Sequence, residues 1–305
     1  MFLLKLFMQT KESQINKFKK IIKEDYPDLE IESIKLLKAG WCNFVVEINK
    51  TYIFRFPKKD DVNLSLESKI LKILKNKVTL EIPVYKFFGN KHQYVGYKKI
   101  TGQPLTTALL KSLNTKSKRL LAIDMANFLY EFHMLLPVTK ARRLDLGSDN
   151  HKWRPEVIQK YVIGKLKDRK LLNFIESNLD KYLELIKDSS NLVIAYNDLH
   201  QNNVAFDKES GRLKGIFDFG DVAVEHISME FYRLFSFDQQ LAINVIKQYE
   251  KISGRKVSVE RVYIAAVISI AAMLGVYNRQ PKSKKYQDAL NDLLHLKSVS
   301  SKFIK

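Results

Sequence analysis

A single cysteine, Cys42, in 305 residues excludes an internal disulfide and suits a reducing compartment, so a cytoplasmic setting is the expectation. No apolar run reaches the roughly 20 residues that span a bilayer. The longest, residues 262–276 (VYIAAVISIAAMLGV), reads as a buried helix, and no membrane span is expected. Residues 1–8 (MFLLKLFM) are too short for a secretory signal, are broken by Lys5 and precede no small-residue cleavage site. They read as a first strand or a disordered start. Internal repeats and low-complexity tracts are also missing. Acidic residues are outnumbered, 33 against 52 Lys and Arg, for a net charge of +19. Such a field attracts polyanions in general. The basic residues are spread along the whole length, however, with no stripe interleaved by aromatics. A solvated lysine-rich surface is therefore expected, with no specific nucleic-acid partner.

What remains is a globular composition, 46% hydrophobic and 28% charged, in a chain long enough for two lobes with separate cores. Residues 12–25 carry apolar positions at helical spacing and stop near Pro27. Strand-like runs follow at 34–37, 44–48 and 52–56. The first two are joined by a tight connection with one glycine (residues 39–43), the last two by the turn pair Asn49-Lys50. A plain hairpin and a phosphate-approaching loop are both open there. Arg55 stands alone in the apolar strand YIFRF, and Glu67 lies on the apolar face of a helix over 63–75. Each is an anomaly without a partner, so the two are expected to pair and to aim Arg55 at an anionic ligand. The alternative is a Glu favouring its helix N-terminus and an Arg reaching solvent. Extended segments at 81–84 and 94–100 lead into the turn cluster TGQP, where the lobe boundary is placed: residues 1–101 and 102–305. Helices are expected over 120–135, 157–186, 228–249, 258–279 and 286–296, with an irregular basic loop at 142–154. His133, closing the first of these helices, reads as a packing residue.

Residues 191–221 (NLVIAYNDLHQNNVAFDKESGRLKGIFDFGD) organise the rest. They read as a strand, a polar loop with Asp198 and Asn203, a hairpin turning at 207–211, and a second loop opening at Asp218. In an antiparallel hairpin the entering and leaving residues share an end, which places Asn203 beside Asp218. An amide oxygen and a carboxylate there suit a hard cation such as Mg²⁺. Asp198 remains to accept a proton from an acceptor hydroxyl. Asp-x-x-x-x-Asn followed by Asp-Phe-Gly is the arrangement of a kinase catalytic loop and metal loop, a site for phosphoryl transfer. His200 reads as a brace on this loop.

At these residues, and in YIFRFPK, LESKIL, GQPL, FLYEFH, YNDLHQNN and GIFDFGD, the sequence resembles the aminoglycoside phosphotransferase family, nearest its 2''-phosphotransferase branch. That family lies within the larger protein-kinase-like group. The resemblance implies an α+β, protein-kinase-like fold with a small N-terminal antiparallel-sheet lobe and a larger, mainly helical C-terminal lobe. It implies ATP or GTP as donor, with the nucleotide base against Lys98 to Ile100. The sequence departs from the family pattern in three places: Tyr196 replaces the usual His, Arg55 the usual phosphate-binding Lys, and residues 222–231 carry few acids. A polycationic acceptor calls for carboxylates, and Glu225, Glu230 and Asp238 are the candidates.

The expectation is a monomeric, Mg²⁺-dependent kinase with a nucleotide and a small-molecule alcohol as partners. An aminoglycoside is the leading acceptor. Choline or another amino alcohol is the alternative, and a non-catalytic nucleotide- or partner-binding protein on the same fold is a third reading.

Overall fold

The structure is a computed structural model and describes residues 10–37, 42–58, 64–146 and 153–304. The expectations placed on residues 1–8, on 39–41, on position 63 and on 147–152 fall outside the described residues. The chain divides into two compact units, one of Met1–Gln103 with Lys214–Gly220, the other of Pro104–Leu213 with Asp221–Lys305.

The first unit is built on an antiparallel sheet. Helix α1 (Lys11–Asp25) begins where the Thr10 hydroxyl accepts the Ser13 N–H, and it ends at Tyr26, just before Pro27. Strands β1 (Ile34–Leu36), β2 (Asn43–Ile48) and β3 (Tyr52–Pro57) follow, then helix α2 (Leu64–Leu74), β4 (Tyr85–Phe88) and β5 (Val95–Lys98). The sheet order is β1-β2-β3-β5-β4. Asn49 and Lys50 both adopt positive φ, 50° and 55°, which matches the right-handed twist of the strands they join. Alternation along β2 and β3 turns Phe44, Val46, Ile48, Phe54 and Phe56 to one face, where they pack with Phe18, Ile21 and Ile22 of α1. Val45 and Arg55, opposite each other in register, face the other way.

Glu81 makes a parallel bridge to Gly215, with the Glu81 N–H donated to the Lys214 carbonyl and the Ile216 N–H to the Glu81 carbonyl, each at 2.9 Å. A Cβ on residue 215 would lie 2.6 Å from the Glu81 carbonyl oxygen, so only glycine lets the strands approach this closely. This bridge anchors residues 214–220 within the first unit.

The second unit is mainly helical: α3 (Thr107–Ser112), α4 (Thr115–Leu135), α5 (Ala141–Leu144), α6 (Trp153–Tyr161), α7 (Arg169–Leu185), α8 (Tyr232–Phe237), α9 (Gln239–Ser253), α10 (Val259–Tyr277) and α11 (Lys284–Ser298). Strands β6 (Leu192–Ala195), β7 (Val204–Asp207), β8 (Arg212–Ile216) and β9 (Ala223–His226) lie between α7 and α8. The division between the units falls inside β8. Helix α10 packs against α6, α7, α8 and α11, and α4 packs against α9. Among the described residues α10 is the one helix long and apolar enough to cross a membrane, and most of it is buried in this packing. Gly275 permits the packing on α6, since a Cβ there would meet Val157 Cγ1 at 2.8 Å.

Three sequence expectations change. The irregular basic loop expected at 142–154 holds the last residues of α5 at its start and the first residues of α6 at its end. Residues 157–186 form parts of two helices, α6 and α7, separated by a turn in which Gly164 has φ 80°. The helix expected over 228–249 is divided between a 3-10 turn (Ile227–Phe231), α8 and α9, and the residues just before it form β9, which pairs antiparallel with β6 from Leu192↔His226 to Ala195↔Ala223. The hairpin of β7 and β8 forms as expected. Its turn is closed by the Gly211 N–H on the Asp207 carbonyl at 3.0 Å, and Gly211 takes φ 68°.

Candidate active site

In the first unit the site starts from Arg55 in the middle of β3, 5% exposed. Its Nη1 donates to Glu67 Oε1 at 2.6 Å and its Nη2 lies 2.9 Å from Asp218 Oδ1. The pairing expected between Arg55 and Glu67 is therefore present. Burial disfavours the Arg55 charge, yet Glu67 and then Asp218 more than offset this and raise its pKa well above the ordinary value. Glu67 is itself buried on the first turn of α2. The same Oε1 accepts the Phe219 N–H at 3.1 Å. One carboxylate thus ties β3, α2 and the loop at Asp218 together. Asp218 has φ 71°, a left-handed conformation that Asp tolerates better than most residues, and its side chain is 44% exposed.

Lys98 ends β5 opposite Tyr52 and is exposed. Ile100 is half-buried, and its Cγ2 would lie 2.7 Å from a Cβ on Gly215. Along the sheet, Lys98 points to the face opposite Arg55.

In the second unit, Asp198 follows β6 and is 8% exposed. The Asn203 amide donates through Nδ2 to the Asp198 carbonyl at 3.1 Å and to its carboxylate Oδ2. With its nitrogen committed to Asp198, Asn203 presents an oxygen as its other amide atom, a hard donor of the kind Mg²⁺ takes. His200 Nδ1 accepts the Asn202 N–H, and Nε2 lies 3.4 Å from Asp198 Oδ1. Burial pushes the Asp198 carboxyl up. His200, the charge of Arg233 and the Asn203 amide together outweigh burial and hold its pKa below the usual carboxylate value. Asp198 is therefore an ionised carboxylate in a largely dry setting. Asn203 belongs to this unit and Asp218 to the first.

The loop backbone hangs on Glu230. This fully buried carboxylate accepts the Tyr196 N–H at 2.8 Å and the Asn197 N–H at 3.2 Å. His133 Nε2 lies 3.1 Å from it, and His133 Nδ1 lies 2.8 Å from the Tyr249 hydroxyl, linking α4 to α9. Tyr196 buries its ring edge-on against Phe128 and Phe132 and so supports the loop by packing. Asn197 takes φ 65° and donates Nδ2 to the Asp221 carbonyl.

Glu230 is not placed to meet an acceptor: its oxygens are committed to backbone N–H groups inside the protein. Asp238 likewise has another role, capping α9 by accepting the Leu241 N–H at 2.8 Å. Glu225 sits in β9 at 3% exposure; burial first, and the Glu225 charge in small part, push the Tyr182 hydroxyl up. The few-acid segment after the Asp218 loop therefore faces inward.

Sequence reasoning did not single out Arg233. On α8, its Nε is 2.9 Å from Asp198 Oδ1 and donates to the Asn197 carbonyl at 3.1 Å, while Nη2 donates to Asp221 Oδ2 at 3.0 Å. Burial lowers the Arg233 pKa, but Tyr232, Asp198 and Asp221 raise it well above its ordinary value. Its sequence signal was a lone charge within the apolar run FYRLF.

A sheet-bearing unit with a buried Arg–Glu pair on an aspartate loop, and a helical unit with an Asp-x-x-x-x-Asn loop, define a kinase-like phosphotransferase. The phosphotransferase enzyme family model matches residues 33–262, and the chain belongs to this family. Its fold is similar to that of wild-type aminoglycoside 2'-phosphotransferase-IIIa in its GDP complex: TM-score 0.81, 21% identity, 94% of this chain and 99% of that one covered. A streptomycin–ATP–APH(2")-IIa ternary complex matches at TM-score 0.63 and 21% identity, over 94% and 97% of the two chains. The macrolide 2'-phosphotransferase of Brachybacterium faecium matches at 0.65 and 11%, over 92% and 98%. At these identities the likeness is one of fold.

Proposed function

We propose that the protein is a Mg²⁺-dependent small-molecule kinase, moving the γ-phosphoryl group of ATP or GTP to an alcohol hydroxyl and acting as a cytoplasmic monomer. The observation that carries this reading is Asp198, an ionised carboxylate of 8% exposure on a loop held by Glu230 and Asn203. Asp198 orients the acceptor hydroxyl and takes its proton. Asn203 and Asp218 would hold the Mg²⁺, which when bound neutralises charge on the nucleotide phosphates. Arg55 and Glu67 order the strand and loop on the phosphate side, and Lys98 to Ile100 border the base.

An aminoglycoside is the leading acceptor class, which would make this an antibiotic-resistance enzyme. The support is family membership and a fold similar to that of a protein whose ternary complex contains streptomycin and ATP. Glu225, Glu230 and Asp238 lend none. An acceptor with at most one positive charge, such as choline, is the second reading. The ion pairs that Arg233 makes with Asp198 and Asp221 favour it.

The test is nucleotide consumption against a panel of aminoglycosides, macrolides and amino alcohols. Asp198→Asn is expected to lower turnover by about 10²- to 10⁴-fold, the worth of a positioned general base. Undiminished turnover in that variant, or no acceptor stimulating the wild type, would overturn the proposal.

A further inference from the structure

On the reading just proposed, an acceptor hydroxyl comes to Asp198, and the charges around that carboxylate govern which molecules can bring one. Asp198 and Asp221 alone would present two negative charges in this part of the second unit. Arg233 stands on both, 2.9 Å from Asp198 Oδ1 and 3.0 Å from Asp221 Oδ2. We infer that Arg233 is a specificity-determining residue that sets the charge of the acceptor subsite and disfavours polycationic acceptors. An ammonium group approaching Asp198 meets a guanidinium already on the same oxygen, and must displace it or bind beside a like charge. A neutral acceptor meets neither penalty.

A purely structural role accounts less well for the same contacts. The loop backbone is already held by Glu230 and by the Asn197 amide. The Arg233 Nε–H is donated to the Asn197 carbonyl, and Asp198 Oδ1 receives no well-aligned hydrogen bond, so Arg233 acts on this oxygen through its charge. Its side chain is 37% exposed, against 12% for Asp198, so Arg233 lies nearer the surface than the carboxylate it pairs with.

The experiment is equilibrium binding of kanamycin to the full-length protein, which needs no turnover and so stands apart from failure of the kinase reading. Arg233→Gln, and Arg233→Met, which keeps an unbranched side chain but loses the guanidinium over the Tyr232 ring, are expected to bind kanamycin about tenfold more tightly, the low end for one unit charge near a protein surface. Arg233→Lys should bind like the wild type, and adding Asp221→Asn to Arg233→Gln should remove the gain. Thermal melts establish that each variant is folded. Affinity in both neutral variants no higher than wild type, or Arg233→Lys binding as tightly as Arg233→Gln, would overturn the inference.

Discussion

A guanidinium at 5% exposure loses nearly all its hydration on folding, and Arg55 stays charged because Glu67 and Asp218 each stand within 2.9 Å. Removing one partner of such a pair costs more than the pair contributes, because it strands the other charge. Arg55→Met is therefore expected to destabilise the protein by about 3–5 kcal/mol in urea denaturation. The double variant Arg55→Met with Glu67→Gln should recover most of that loss. If the double is as unstable as the single, packing of the Arg stem outweighs the stranded carboxylate. The pair was legible in the sequence because each member broke its own pattern, a charge in an apolar strand and an acid on an apolar helix face. The role of Glu230 was not legible: it resembles an ordinary helix-flanking acid, and only the fold brings the Tyr196 and Asn197 N–H groups to it.

Helices with a sustained apolar period and an end signal, such as α1 and α4, could be read directly from sequence, whereas short elements defined by a distant partner could not. Strand β9 has four residues, too few to show a period of its own, and its pairing with β6, distant in sequence, defines it. The start of α9 shows the same limit at a single position. Asp238 was read as an acceptor-facing acid, but at φ −154° its carboxylate caps the helix. Asp238→Ala is expected to lower stability by about 1 kcal/mol, while Asp238→Ser, another good cap, should leave it nearly unchanged. Neither should alter the acceptor KM. A raised KM at unchanged stability would return Asp238 to the acceptor site.

Stability against pH belongs to the molecule as a whole, because every histidine that protonates adds to a net charge already at +19. Buried His226 is the site where this has a specific structural cause. Its Nδ1 accepts the Ser228 N–H at 3.2 Å, capping the turn after β9, and its Nε2 lies 3.0 Å from Arg261 Nη1. Burial and then the Arg261 charge lower its pKa, with Asp188 opposing. Above about pH 6.5 the ring is neutral folded and unfolded, so it adds no pH dependence. As pH falls below that, the unfolded chain takes up the proton more readily than the folded one, and stability declines until the lowered folded pKa is passed. Melting temperature is thus expected to fall between pH 7 and pH 5 in the wild type and to fall less in His226→Gln. General repulsion among surface charges would produce a similar decline, but salt screens it, with a Debye length of about 8 Å at 0.15 M. The difference in slope between wild type and His226→Gln should therefore persist at high salt, since ring and guanidinium are in direct contact. Its disappearance would assign the acid sensitivity to the basic surface instead of to this ring.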